Sequence, residues 1–184
     1  MLTICFTGHR PNKLGGYDWN TPKNKTIMQE VKDNIIELIN SLEENTFHFI
    51  FGGAIGVDQM AFKIINDIKY ETLKWNTIHI TTEVALPFLK QDVKWNESDG
   101  IRWRQQLCAA DKITRVDKLE QYKIKGYQED IYYPAKMQKR NEYMVNNSDL
   151  VIAVWDGSKG GTANCINYAK KLNKRILIIN LKEI

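Results

Sequence analysis

Short apolar runs alternate with amphipathic segments along nearly the whole chain, and this order constrains the fold more than any other feature. The clearest runs read LTICFT, FHFIF, LVIAVW and RILIINL, and they are predominantly apolar instead of alternating with polar residues. Continuous apolar runs are typical of strands that are covered on both faces, as in parallel sheets with helices on either side.

The segments between these runs have a helical period and recognisable start signals. Thr21 offers an N-cap and Pro22 a first helical residue, and one apolar stripe follows them. That stripe consists of Ile27, Val31, Ile35, Leu38 and Leu42. The predicted strands are Leu2–Thr7, Phe47–Phe51, Ile78–Leu86, Ile113–Val116, Leu150–Trp155 and Arg175–Leu181. Further helices are predicted over Val57–Ile68, Ile101–Ala110, Pro134–Asn146 and Ala163–Leu172.

Repeated strand–helix–strand units predict right-handed crossovers and an α/β fold. We expect a single Rossmann-like, doubly wound, mainly parallel sheet with helices on both faces. At 184 residues the chain has the length of about one domain, predicted over residues 1–184. Residues 117–132 lack a clear period and are predicted to form an insertion or a lid.

Charge and cysteine content exclude several classes of protein. The chain has 26 basic and 22 acidic residues, a formal net charge of +4, which gives little support to a nucleic-acid groove. Its three cysteines are far apart and form no CxxC pair, so we predict no metal site, no cofactor and a reduced, cytoplasmic setting. The longest fully apolar run, Leu150–Trp155, is too short to cross a membrane.

Three glycine-rich loops, residues 7–10, 52–58 and 156–162, follow predicted strands. Together they hold seven of the eleven glycines. Because the carboxyl ends of parallel strands share one edge, we expect the loops to meet there, near the topological switch point. Glycine admits a ligand close to backbone N–H groups, and a helix that begins behind the loop adds unpaired donors and a positive dipole end. The pattern predicts an anion site, most often one for phosphate.

Several side chains in these loops have chemistry that suits such a site. Arg10 can fork onto phosphate or carboxylate. Asp58 can cap its helix or accept a ribose hydroxyl, and Thr162 can cap the last helix or bond a phosphate. The spacing matches neither G-x-G-x-x-G nor G-x-x-x-x-G-K-[ST], which disfavours a standard dinucleotide fold or a P-loop ATPase. The predicted binding residues of the loops are Thr7, Gly8, His9, Arg10, Gly52, Gly53, Ala54, Gly56, Asp58, Asp156, Gly160, Gly161 and Thr162.

Arg140 and Asn141 complete the predicted binding set, on the apolar face of the helix before the LVIAVW run. A charged residue on an inward-facing stripe needs a partner, and either a carboxylate such as Asp149 or a bound phosphate fits. The alternative is an arginine whose stem packs while its head reaches water.

His9, Trp95 and Trp103 have two interpretations each. His9 suits an acid/base group at the site, or a histidine with a structural role. Trp95 and Trp103 lie among basic residues and suit stacking on bases, or plain packing.

Five segments together resemble the SLOG superfamily, which unites the DNA-processing protein DprA/Smf with the LOG phosphoribohydrolases. They are TGHR, GGAIGVD, ALPF with the following Gln91 and Trp95, QKRNEYMV and SDLVIAVWDGSKGGT. The chain is most similar to the YoqJ/YpsA-like branch of small bacterial and prophage proteins. The resemblance implies a Rossmann-like fold that binds a nucleotide or a nucleotide-derived ligand, and it implies a homodimer.

One departure from the LOG pattern bears on catalysis. The resemblance aligns Arg140 with the LOG active-site arginine, and Arg140 and Asp58 are the catalytic candidates. The LOG glycine loop continues as G-T-x-x-E, whereas residues 163–166 here contain no acid. The leading hypothesis is therefore a nucleotide-binding sensor or sequestering protein. The alternatives are a nucleoside 5′-monophosphate phosphoribohydrolase and a single-stranded DNA-binding protein, so whether the chain is an enzyme stays open.

Overall fold

A computed structural model describes residues 1–73 and 78–184. Six strands are present, and they are β1 Leu2–Gly8, β2 Thr46–Phe51, β3 His79–Leu86, β4 Lys112–Arg115, β5 Leu150–Trp155 and β6 Arg175–Asn180. Five helices connect them, and they are α1 Pro22–Asn40, α2 Val57–Leu73, α3 Glu97–Ala109, α4 Pro134–Asn146 and α5 Gly161–Lys171. The α/β class predicted from the sequence is confirmed, and α4 and β5 begin and end at the predicted residues.

The strands form one sheet in the order β4-β3-β2-β1-β5-β6, and every pairing in it is parallel. From β1 the chain proceeds outward through β2 and β3 to β4, then returns to place β5 on the other side of β1. The direction of winding therefore reverses between β1 and β5. In open α/β sheets a ligand crevice forms at this switch point, beyond the carboxyl ends of the strands.

Helices cover both faces of the sheet. One core cluster joins α1 and α2 to the sheet through Ile35, Ile65 and the fully buried Phe49. The second cluster joins α4 and α5 to the opposite face through Met144 and Cys165. Each central strand therefore buries side chains on both faces, which explains its continuous apolar sequence.

Helix α1 begins as the sequence predicts and ends slightly earlier. The Thr21 side chain accepts a hydrogen bond from the backbone N–H of Asn24, which satisfies one of the free donors of the first turn. The predicted apolar stripe packs against the core over its whole length, with Leu38 and Leu42 partly buried and the neighbouring Ile39 buried at its end. Leu42 lies beyond the helix, because the helix stops at Asn40.

Much of the segment between β4 and α4 packs against the rest of the chain. Its two 3₁₀ turns bury Val116 and Tyr122, and the Tyr122 ring meets the Tyr143 ring edge-on at 5.5 Å. Arg115 pairs with Asp117 at 3.0 Å and with Asp130 at 2.7 Å, which fixes both ends of the segment. That residues 117–132 act as an insertion or a lid stays a prediction.

None of the helices in the described ranges combines the length and the apolar character that crossing a bilayer requires.

Candidate functional site

A cleft of about 390 Å³ lies at the carboxyl ends of β1 and β5, and we call it the switch-point cleft. Its volume falls within the usual range of small-molecule sites, about 300–1,000 Å³. Its position is the one that the winding of the sheet favours for a ligand. It is lined by Phe6, Thr7, Gly8, His9, Arg10, Asn12, Lys13, Ala54, Asp58, Tyr132, Met137, Arg140, Asn141, Lys159, Gly160, Gly161 and Thr162.

All but four of the predicted binding residues line this cleft. The four are Gly52, Gly53, Gly56 and Asp156, which do not belong to its lining. Gly56 has a φ of +97°, and a Cβ there would come within 2.5 Å of the His9 carbonyl oxygen. Its lack of a side chain lets the second glycine loop pack against the first, where Val57 N donates to His9 O.

Arg140 reaches across the cleft from α4 to the second glycine loop. Its Nη1 donates to the Gly52 carbonyl at 2.6 Å, and its Nε and Nη2 donate to Asn141 Oδ1 at 3.1 and 3.0 Å. A Cβ on Gly52 would overlap the guanidinium, so this approach requires glycine. The prediction that Asp149 could be the partner of Arg140 is wrong, because the Asp149 side chain accepts a hydrogen bond from Thr3 N at the opposite end of the strands. Arg140 is only 7% exposed, so its head does not reach bulk water.

Asp58 is the carboxylate of the cleft, and it faces Arg140 without touching it. The nearest oxygen and nitrogen of the two groups are 3.9 Å apart, and Asp58 Oδ2 also accepts from Ala54 N at 3.2 Å. Burial raises the pKa of Asp58 despite the neighbouring guanidinium, and burial lowers the pKa of Arg140 despite the carboxylate. Desolvation therefore exceeds the attraction within the pair, and an anion beside Arg140 would stabilise its charge.

His9 lines the cleft and is held from behind by the loop after β5. Its Nε2 lies 2.6 Å from Asp156 Oδ1, and the imidazole is 6% exposed. Hydrogen bonds from the Ser158 hydroxyl and backbone, with the contact to His9, hold the pKa of Asp156 well below its ordinary value. This pairing gives His9 a structural role in joining the first and third glycine loops.

The third loop opens directly onto the start of α5. Gly160 has a φ of +145°, and added Cβ atoms at Gly160 and Gly161 would meet nothing within 4 Å. Packing within the described chain thus leaves space above the first free N–H groups of the helix. The predicted cap by Thr162 is wrong, because the N-cap is Gly160 and Thr162 lies within the first turn, buried beside the cleft.

Several lining residues were not among the predicted binding residues. Asn12 and Lys13 belong to a 3₁₀ turn directly after the TGHR loop, and Lys13 Nζ donates to Ser158 Oγ. Lys159 lies between Gly157 and Gly160 of the third loop, so its glycine-rich surroundings could have marked it as a binding residue. Tyr132 lies in the segment before α4, and Met137 lies in α4 itself. Neither has the glycine-rich surroundings that marked the three loops.

Trp103 is placed away from solvent, whereas Trp95 is partly buried. Trp103 is 5% exposed within the core, and Trp95 packs against it edge-on with ring centroids 6.2 Å apart. Trp103 therefore packs in the core and cannot stack on bases, while base stacking by the partly exposed Trp95 stays a prediction. Across residues 1–73 and 78–184, no three His, Cys, Asp or Glu side chains converge as a metal-binding group.

Known proteins with similar sequences span most of this chain. The SPbeta prophage-derived protein YoqJ of Bacillus subtilis is 42% identical over 151 residues, which cover 81% of this chain and 85% of YoqJ. A UPF0398 protein of Halalkalibacterium halodurans is 30% identical over 172 residues, which cover 93% of this chain and 82% of the relative.

Two solved structures have a similar fold. DNA processing protein A from Helicobacter pylori, described with a single-stranded DNA binding mode, has a TM-score of 0.57 at 17% identity. DprA from Streptococcus pneumoniae has a TM-score of 0.58 at 15% identity. Each match covers 96% of this chain but only 64% and 50% of the respective neighbour.

A protein-family model also matches this chain, over a range that includes the glycine loops described above. The model of the YspA SLOG family matches residues 4–184, a range that includes all three loops and Arg140. The resemblance to the SLOG superfamily is thereby confirmed, and the chain belongs to the YspA SLOG family.

Proposed function

We propose that this protein binds a nucleotide or a nucleotide-derived anion in the switch-point cleft, as a sensor or a sequestering protein. The charge of the lining carries the proposal. The lining contains four basic side chains and one carboxylate, Asp58; the basic ones are Arg10, Lys13, Arg140 and Lys159. A lining with this excess of positive charge favours an anion over a neutral metabolite.

Different groups in the lining of the cleft suit different parts of a nucleotide. The start of α5 supplies backbone N–H groups beside open space, and Arg10 and Lys13 line the same cleft, a combination that suits phosphate. Asp58 can accept a ribose hydroxyl, and the Asn141 side-chain amide nitrogen can donate to one, because the Asn141 oxygen already accepts from Arg140. Membership of the SLOG family and the DprA-like fold support a nucleotide or nucleic-acid ligand in general terms.

A thermal-shift panel tests the proposal. Nucleoside monophosphates, ADP-ribose and cyclic dinucleotides are compared with the corresponding nucleosides, on the wild type and on Arg10→Ala. We expect at least one phosphate-bearing compound to raise Tm further with each increase in its concentration above Kd, and the shift to shrink in the variant. Arg175→Ala is the matched control, since Arg175 is exposed at the start of β6. A panel without any stabilising compound would refute the proposal.

Gly161→Ala separates binding from folding. Because its Cβ would meet no atom within 4 Å, the free energy of unfolding should stay within about 1 kcal/mol of the wild type. The methyl group would occupy the space proposed for phosphate, so the affinity for the best panel compound should fall at least tenfold. Titration calorimetry measures the affinity, with Gly100→Ala in α3 as the control. Unchanged affinity in Gly161→Ala would place the ligand elsewhere.

Hydrolysis of a nucleoside 5′-monophosphate is the second candidate function, and one observation favours it. Asp58 lines the cleft with a raised pKa, so it is suited to hold a proton for a departing base while water adds to the ribose carbon. Chromatography for free base after incubation with the four monophosphates tests this. Release that is abolished by Asp58→Asn would establish the hydrolase, and no release with any base would leave binding alone.

Single-stranded DNA is the third candidate, and it rests on the Helicobacter pylori neighbour. Affinity for an oligonucleotide should fall steeply as the salt concentration rises. A gel shift without a complex at low salt would remove this candidate. The homodimer and the cytoplasmic location stay predictions, and light scattering tests the former.

A further inference from the structure

One side of the switch-point cleft is formed by α4 and the segment before it. Because β5 follows α4 and begins at the amino edge of the sheet, α4 begins near the carboxyl edge and runs back from it. Arg140 and Asn141, within the helix, are only 7% and 9% exposed. Tyr132, which precedes the helix, lines the same cleft and is 56% exposed. This side of the cleft therefore carries buried polar groups and one exposed aromatic ring.

The backbone just before Tyr132 is fixed by Asp130. Asp130 Oδ1 accepts hydrogen bonds from the backbone N–H of Leu89 at 3.0 Å and from Arg115 Nη2 at 2.7 Å. The φ of Asp130 is +55°, in the left-handed region, which costs free energy for a residue with a side chain. The two hydrogen bonds offset that cost, and they connect the segment to the chain after β3 and to the end of β4. Tyr132 thus follows a backbone whose position is set by two other parts of the chain.

The Tyr132 ring is supported by the core and still accessible to a ligand. It meets the Phe88 ring in an edge-to-face contact, with centroids 6.2 Å apart. Phe88 is 3% exposed, so the support comes from a residue that is itself packed. A single edge-to-face contact leaves most of the Tyr132 ring uncovered, as its exposure shows. An exposed aromatic ring that is held in place beside a cavity is suited to binding a flat group.

The cationic and the aromatic parts of the lining come from different segments. Arg10, Lys13 and Lys159 belong to the first and third glycine loops or to the turn after the first loop. The Tyr132 ring belongs to the α4 side. A nucleoside 5′-phosphate has the same division, with an anionic phosphate at one end and a flat, uncharged base at the other. Phosphate suits the loops and the start of α5, and an aromatic ring suits the base.

We propose that Tyr132 is the base-binding residue of the switch-point cleft and that its ring stacks on the base of a nucleoside 5′-phosphate. The inference rests on the function proposed above, and it names the group that binds the part of the ligand which the cations do not attract. Every nucleobase has a π-face, so stacking recognises a base without reading its hydrogen-bonding edge. The cleft therefore takes nucleoside 5′-phosphates in preference to sugar phosphates that lack a base.

Titration calorimetry with the four nucleoside 5′-monophosphates and with ribose 5-phosphate tests this inference. The tightest-binding monophosphate should bind the wild type at least tenfold more tightly than ribose 5-phosphate does. Tyr132→Ala should remove that advantage and leave the affinity for ribose 5-phosphate within twofold of the wild type. Tyr132→Phe should keep the advantage, because stacking needs the ring and not the hydroxyl. Tyr70→Ala, at a tyrosine of similar exposure on α2, is the matched control and should bind as the wild type does.

Proton spectra of the bound monophosphate give a second readout. The base protons should shift upfield when they lie over the Tyr132 ring, and this shift should persist in Tyr132→Phe and vanish in Tyr132→Ala. Equal loss of affinity for the monophosphate and for ribose 5-phosphate in Tyr132→Ala, or no loss for either, would overturn the inference and leave the phosphate site standing. A wild type that binds ribose 5-phosphate as tightly as every monophosphate would also overturn it. A wild type that binds none of the five compounds would refute the proposed function as well.

Discussion

Replacing Arg140 with alanine is expected to lower the affinity for a nucleoside 5′-monophosphate at least about 100-fold, equivalent to about 2.7 kcal/mol. Arg140 is 7% exposed and lines the switch-point cleft, where low solvent access strengthens its attraction for an anion. Its removal also leaves Asp58, 3.9 Å away, without a neighbouring guanidinium. The remaining carboxylate would then repel the phosphate that the arginine attracted.

Titration calorimetry on folded protein measures this effect, with circular dichroism as the check on folding. Arg140→Lys should recover part of the affinity, because it restores the charge without the planar fork. Arg175→Ala should stay within twofold of the wild type, since Arg175 lies at the opposite end of the strands from the cleft. An Arg140→Ala protein that binds within threefold of the wild type would show that this side chain does not contact the ligand.

Glu83→Gln is expected to destabilise the fold by about 3 kcal/mol at neutral pH. Glu83 is 1% exposed in β3, and its carboxylate is 2.6 Å from Tyr143 Oη, 3.1 Å from His48 Nε2 and 2.9 Å from Lys112 Nζ. Burial alone would raise the pKa of Glu83, but these hydrogen bonds lower it from 4.5 to about 2. Each unit of that difference corresponds to about 1.4 kcal/mol of stability.

The pH range over which Glu83 stabilises the fold follows from the direction of its pKa shift. The pKa of Glu83 is lower in the folded chain than in the unfolded chain, so its stabilisation is complete above about pH 4.5. It is lost as the pH falls from there towards about 2. Urea unfolding of wild type and Glu83→Gln should therefore differ most at pH 7 and converge near pH 2. Glu30→Gln, on the exposed side of α1, should change stability by less than about 0.5 kcal/mol at any pH. A constant difference between wild type and Glu83→Gln across pH would contradict this assignment.

The strands, and therefore the loops that follow them, could be predicted from the sequence because a strand that is buried on both faces is a continuous apolar run. LVIAVW, fully buried from Leu150 to Val154, has no other plausible place than a central strand. The three loops follow strands that lie side by side or next but one, so parallel pairing alone brings them to one edge. Arg140 was recognisable because a cation on an apolar stripe requires a partner.

The partners themselves depend on distant packing and could not be read from sequence. Nothing local predicts that Arg140 meets the carbonyl of Gly52, 88 residues away, instead of Asp149 nearby in sequence. The same holds for Glu83, a charge inside an apolar strand whose partners come from β2, β4 and α4. Lys13 joins the cleft through a 3₁₀ turn, a structure without a periodic signal.

The most direct test of the central claim compares one nucleoside with its 5′-monophosphate by titration calorimetry on the wild type and on Arg10→Ala. The pair consists of the nucleoside 5′-monophosphate that raises Tm most in the thermal-shift panel and its own nucleoside. If the switch-point cleft recognises the phosphate, the monophosphate should bind the wild type at least 100-fold more tightly than the nucleoside does. That advantage should fall at least tenfold in Arg10→Ala. Equal affinity of the two compounds for the wild type would contradict an anion site at the three glycine loops.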